Sequence, residues 1–247
     1  MSFNKIKNSP YNETRKPEVK KSKRWRLYRG NLRNIVILIS AISALYYPIS
    51  GLKIIISLTI LTVGCALHFI VKGILVRVKI LCKDGVYASV QHPYYLANYL
   101  IDSSFCFLSG NSYMILLYPF LFFWAYGPSL TGEENLLASL HGERYLNYHF
   151  QTPQVFPYAL SIKQWQKNLP AFSMSRITSQ EIKRLFRFWG IAFLLVFLHD
   201  IRLERFLEIK MLSEIKNIGN LFVLGLCLMF FVISSIIPRK ISGPPVQ

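Results

Sequence analysis

Two separated stretches of this chain hold residue types that could do chemistry. The first runs from Gly85 through Tyr87, Gln91, His92 and Pro93 to Tyr94 and Tyr95. Gly85 permits a tight turn, and Pro93 suits the first turn of a helix, where a missing N–H costs nothing. His92 is therefore expected beside a helix N-terminus, flanked by tyrosines. The second stretch begins with Glu133 and Glu134 and continues through Leu137, His141, Gly142, Arg144, Tyr145 and Tyr148 to Pro153 and Pro157. On one continuous helix, Glu134, Leu137, His141, Tyr145 and Tyr148 would share a face. Paired carboxylates, a histidine and phenols can move protons, hold a cation or bind a polar ligand. The plain alternatives are an aromatic belt at a membrane boundary and an acidic first turn of a helix.

The elements that position them are read from composition and charge. Of the 247 residues 52% are hydrophobic and only 17% charged, too oily for a typical soluble domain and too apolar for disorder. The 29 Lys and Arg against 12 Asp and Glu leave a net charge of +17. Residues 1–33 hold eleven of those cations and two Glu, and they read as a basic cytoplasmic arm, partly disordered over residues 1–26. Uncharged or nearly uncharged runs follow at Asn34–Leu52, Ile54–Val71, Gly85–Ser109, Ser112–Gly132, Phe188–His199 and Asn217–Pro238. About 20 residues span the bilayer core, so the fold class expected is an all-α polytopic transmembrane bundle of five to six spans. Phe188–His199 is the short one. Lys and Arg placement puts the arm, the segment from Lys72 to Lys83 and residues 133–187 on the cytoplasmic side. The chain divides into the arm (1–33), two transmembrane helices (34–78), a core bearing both motifs (79–160) and a C-terminal extension (161–247). Thr178 to Glu181 reads as a capping box opening a basic interfacial segment, Lys183–Trp189. Cys65, Cys82, Cys106 and Cys227 are scattered and suggest neither a disulfide framework nor a metal site.

Taken together, the two motifs resemble the isoprenylcysteine carboxyl methyltransferase and phospholipid methyltransferase superfamily. The resemblance covers roughly Lys79–Pro157. It implies an integral membrane methyltransferase using S-adenosylmethionine, held in a pocket on the cytoplasmic side of the helices. Tyr87, His92, Pro93 and Tyr95 match positions that line the cofactor pocket, with Tyr94 among them. Ile80–Lys83, including Leu81 and Cys82, aligns with cofactor-contacting backbone. Glu133 matches a glutamate that contacts the cofactor; Glu134, Tyr145 and Tyr148 match motif positions. The pattern departs in two places. Gln91 stands where the family commonly has Arg, and Ser129 stands where isoprenylcysteine enzymes place the Arg that meets the substrate carboxylate.

An anionic oxygen acceptor needs no general base, an amine must be neutral, and a carbon nucleophile needs a base. The candidate bases are His92, His141, Glu133 and Glu134, with His92 and Glu134 taken as catalytic. The basic arm should gather anionic lipid headgroups. The expected acceptor is a lipid or lipidated molecule, preferably an anionic headgroup such as a lipid phosphate of the lipid A 1-phosphate type. Arg144, Tyr145 and the Lys72–Lys83 cations are the residues expected to meet it. A phospholipid amine or a prenylcysteine carboxylate is the alternative acceptor. A nicotinamide-dependent membrane reductase and a transporter or anchor are the alternative classes. Nucleic acid and metal are not expected partners, and a bacterial cytoplasmic membrane is the expected location.

Overall fold

The computed structural model describes residues 18–74, 81–158, 172–201 and 218–238. Among them lie seven α-helices and no strand: α1 (Glu18–Tyr46), α2 (Gly51–Ile74), α3 (Pro93–Leu108), α4 (Ser112–His141), α5 (Glu143–Gln151), α6 (Ser179–Ile201) and α7 (Ile218–Ile236). Short 3-10 turns occur at Gly85–Ala88 and Met174–Arg176. Residues 1–17 of the basic arm, Arg77, Lys79 and Ile80, and the first part of the C-terminal extension (161–171) lie outside the described residues.

Among the described residues three helices are long and apolar enough to cross a membrane: Gly51–Ile74, Ser112–His141 and Gly219–Ile236; Asn31–Tyr46 is a shorter apolar stretch. Of the five to six spans expected, these three stand on length and composition alone. At 16 residues, α3 is about 24 Å long at 1.5 Å per residue, less than the hydrocarbon thickness. Its environment is protein: Ala97, Ile101, Phe105 and Leu108 are fully buried, and α3 packs against α1, α2, α4 and α6. The pairing with α2 is intimate at Gly64. A Cβ there would meet Ile101 Cγ1 at 2.9 Å and the Ile101 backbone nitrogen at 3.0 Å, so only glycine lets the two helices approach this closely.

α1 begins at Glu18, inside the stretch read as a partly disordered arm, and carries Arg33 into the bundle. Arg33 pairs with Asp102 of α3 and donates from Nη2 to Asn98 Oδ1 at 2.9 Å. Tyr118 of α4 donates to the other Asp102 oxygen at 3.1 Å, and the guanidinium lies 4.9 Å from the Phe188 ring centroid of α6. Asp102 is fully buried, and the one formally charged residue of the third apolar run thereby joins four helices.

Breaks fall where the residues dictate. Gly110, at φ +70°, ends the turn after α3, and Asn111 Oδ1 accepts from Tyr113 N–H at 3.0 Å to cap α4. His199 of α6 closes the same end, with Nδ1 2.9 Å from the Tyr47 carbonyl and Nε2 2.6 Å from that of Leu108. The short apolar run Phe188–His199 is the second half of a 23-residue helix, α6, that also takes in Lys183–Trp189. Half of the expected capping box forms: Glu181 N–H lies 3.4 Å from Thr178 Oγ1, while the Glu181 carboxylate turns to Lys72. α7 packs on α6 through Phe230, stacked on Trp189 and Phe193, and the Phe231 ring beside Gly190. None of the four cysteines is in a disulfide among the described residues.

Candidate active site

His92 is the N-cap of α3, with Pro93 in the first turn as its ring geometry favours. Gly85 adopts φ +62°, which a side chain would strain, and the 3-10 turn that follows leads directly into His92. Glu133 and Glu134 are not in a helix N-terminus. They lie in the interior of α4, a 30-residue helix that continues past Gly132 and accommodates Pro119 and Pro128. An acidic first turn therefore does not explain the pair.

The two stretches meet. Tyr95 Oη donates to Glu133 Oε1 at 2.6 Å. His92 stands between the carboxylates, with Nδ1 3.8 Å from Glu133 Oε2 and Nε2 3.4 Å from Glu134 Oε1. The His92 side chain is 5% exposed, Glu134 16% and Glu133 51%, so one carboxylate is open and the other is sheltered. Nε2 of His92 is buried and has no well-formed hydrogen bond among the described residues; Glu134 Oε1, 3.4 Å away, is its polar neighbour. Nε2 thus faces the sheltered carboxylate and Nδ1 the open one, and a polar ligand bound at the open side would meet Glu133 first.

The expectation that Glu134 through Tyr148 lie on one helix is corrected by Gly142. With φ +53° and ψ −131° it ends α4 and starts α5, a conformation that glycine adopts freely. The break turns Tyr145 and Tyr148 onto the His-Pro segment. Tyr148 Oη donates to the Tyr87 carbonyl at 2.6 Å. Tyr145 Oη donates to Gln91 Oε1 at 3.4 Å, and His149 Nδ1 lies 2.9 Å from the same oxygen. The Gln91 amide donates to the His149 carbonyl at 3.0 Å and to that of Thr152. Its backbone N–H reaches Pro153 O at 2.9 Å, and the next, of His92, reaches Gln154 O at 3.0 Å. Gln154 Nε2 then donates to Glu134 Oε1 at 2.6 Å, closing a ring of contacts from His92 to Glu134.

Burial pushes the phenols of Tyr87, Tyr145 and Tyr148 well above the ordinary tyrosine value. Near neutral pH they are donors and apolar walls rather than bases.

The expected site residues separate into groups. His92, Pro93, Tyr95, Glu133 and Glu134 come together. Tyr87 is buried with Val86 and Val90 against α2. Tyr94 faces α2 instead, its ring 5.0 Å from that of His68. Leu81 and Cys82 are half-buried just before the 3-10 turn. Arg144 is exposed on α5, while Tyr145 points inward. Lys72, counted among the cations for a substrate headgroup, pairs with Glu181 and lies over the Tyr94 ring. Sequence reasoning noticed Gln91 only as a departure from a pattern and did not single out Gln154. Their signal was position alone, one residue before the histidine and one after the proline.

A curated relative is the protein-S-isoprenylcysteine O-methyltransferase of Schizosaccharomyces pombe, 31% identical over 78 residues. The match covers 32% of this chain and 33% of that protein, so the chain spans about a third of its length. No family model matches the chain. No solved structure matches it.

Proposed function

We propose that this protein is an integral membrane methyltransferase that uses S-adenosylmethionine to modify a lipid or lipidated acceptor, with its site at the cytoplasmic face. The observation that carries the reading is the convergence of His92 and Tyr95 on Glu133 and Glu134, from motifs 38 residues apart in the Tyr95–Glu133 pair. The partial similarity to an isoprenylcysteine methyltransferase supports the same class at a coarse level.

The residues suit the cofactor. Glu133 is open to a cationic or amino group, Tyr95 orients it by a hydrogen bond, and His92 stands beside both carboxylates as a further polar contact. The bound cofactor supplies a methyl group already activated by its sulfonium. What the protein adds is position, exclusion of water and proton management.

The charges at the site favour a phospholipid amine as acceptor over an anionic headgroup. Two carboxylates face His92, Lys72 is committed to Glu181 and Tyr94, and Arg144 is exposed on α5. A carboxylate site attracts an ammonium and repels a phosphate. Glu134, oriented by Gln154, is placed to take the proton that frees an amine for attack. The basic arm then serves to hold the protein against anionic lipid rather than to bind the acceptor.

The test is transfer of labelled methyl from S-adenosylmethionine to membrane lipids by the purified full-length chain, compared with binding of NADPH. Label that resists alkaline hydrolysis and migrates with an amine headgroup is the expected result. Label lost as methanol marks a carboxylate methyl ester, and alkali-stable label that migrates with a phosphate headgroup marks a methylated phosphate; either result moves the acceptor away from an amine. Tight NADPH binding with no methyl transfer overturns the function in favour of a reductase.

A further inference from the structure

The C-terminal part of the chain returns to the back of this site. Ahead of α6, Ser173 N–H donates to the Gly73 carbonyl at 2.9 Å, and Arg176 Nη1 donates to the carbonyls of Gly73 and Ile74, both at 3.1 Å. Both carbonyls belong to the last described turn of α2. The Phe172 ring lies so close to Gly73 that a Cβ would come within 2.2 Å of it. Three residues into α6, Glu181 is only 8% exposed and pairs with Lys72 of α2. Lys72 Nζ in turn lies 4.7 Å from the Tyr94 ring centroid.

Tyr94 is therefore held from two directions. His68, one turn before Lys72 on the same helix, sets its ring 5.0 Å away at 45°. His68 is fully buried and neither of its nitrogens has a hydrogen-bond partner among the described residues, so its contact with Tyr94 is one of packing. On the other flank the Tyr94 ring meets Tyr95 edge-on, with centroids 6.3 Å apart. Tyr95 is the residue that holds Glu133. A cation over an aromatic face restrains both partners, more strongly where water is excluded.

We propose that the Phe172–Glu181 segment is a positioning element of the site: Glu181 holds Lys72 over Tyr94, and that ring fixes the first turn of α3 carrying His92 and Tyr95. The proposal rests on the methyltransferase reading, and it makes the C-terminal extension part of the site rather than an appendage. Glu181 and Lys72 act through Tyr94 and are positioning residues.

Glu181→Gln, Lys72→Met and Lys72→Arg are made in the full-length chain in lipid nanodiscs. S-adenosylmethionine affinity is measured by calorimetry alongside Tm. Glu181→Gln and Lys72→Met should each weaken binding about tenfold at little change in Tm, a coupling of ordinary size. Lys72→Arg, which keeps a cation for both Glu181 and the ring, should bind within about twofold of the parent. Should Glu181→Gln not fold, Lys72→Met carries the test, since it removes the charge and keeps the apolar stem. Parental affinity in Lys72→Met overturns the proposal, as does a Lys72→Arg variant as weak as Lys72→Met. A parent chain that binds no S-adenosylmethionine overturns the methyltransferase reading itself, and this inference with it.

Discussion

Tyr95 donates its hydroxyl to Glu133 across 2.6 Å, joining the first turn of α3 to the C-terminal half of α4. The bond orients a carboxylate that is 51% exposed, so its worth lies in direction more than in stability. Tyr95→Phe keeps the ring contacts with His92 and Tyr126 and removes the donor. It should cost about 1 kcal/mol of folding stability and weaken S-adenosylmethionine binding about three- to tenfold. Calorimetry and thermal unfolding on one preparation would show whether affinity falls while Tm barely moves.

Gln91 uses both ends of its side chain. The amide donates to two carbonyls and the oxygen accepts from Tyr145 and His149. Gln91→Leu leaves those buried groups unpaired and should destabilise the protein by at least about 2 kcal/mol. Gln91→Arg, which restores the residue common in the resembled family, should also destabilise it. A guanidinium has no acceptor for Tyr145 or His149. Equal or higher Tm in Gln91→Arg would show that the α5 contacts are not what Gln91 provides.

Asp102 and Arg33 form a pair whose carboxylate is wholly buried. Asp102→Asn leaves the guanidinium without its counter-charge and should cost about 3–5 kcal/mol. Joint replacement by Arg33→Met and Asp102→Leu should cost much less, because it removes both charges together. Unfolding midpoints of the single and double variants in one detergent give the comparison. Additive losses would mean the two residues do not act as a pair.

The pH dependence follows from the buried phenols. Burial raises the folded values for Tyr87, Tyr145 and Tyr148, whereas an unfolded tyrosine ionises near 10. Below about pH 10 both states are neutral and the phenols make no pH-dependent contribution. Above it the unfolded chain gains by ionising while the folded chain resists, so stability falls as pH rises towards the folded values. Tyr148→Phe should flatten that alkaline decline, at the cost of its bond to the Tyr87 carbonyl. Chemical denaturation between pH 8 and about pH 11 is the measurement.

Much of the local structure was legible in the residues. Pro93 after His92 marks a helix start, Gly85 and Gly110 mark turns, and the Ser109–Ser112 break separates α3 from α4. Gly142 was visible too, but the helical spacing of Glu134, Leu137, His141, Tyr145 and Tyr148 argued for one helix. A periodic pattern reports which residues could share a face, and it is blind to a single dihedral that redirects the chain. From its charge Lys72 reads as a cytoplasmic cation that meets an anionic substrate headgroup. Its partner Glu181 lies 109 positions later, a separation that no local pattern encodes.

From the sequence alone came an oily, basic, helical chain with two polar motifs and the kind of chemistry they suit. Those properties depend on composition and short-range spacing, which backbone sterics and hydrophobic burial act on directly. Only the tertiary structure decided that His92 stands between Glu133 and Glu134, that Gln91 binds α5 to the His-Pro turn, and that Glu181 reaches Lys72. These are contacts between distant segments, set by how α2, α3, α4 and α6 pack as solids. The direction of a side chain in such a bundle is fixed by its neighbours in space, and the linear order of residues does not contain it.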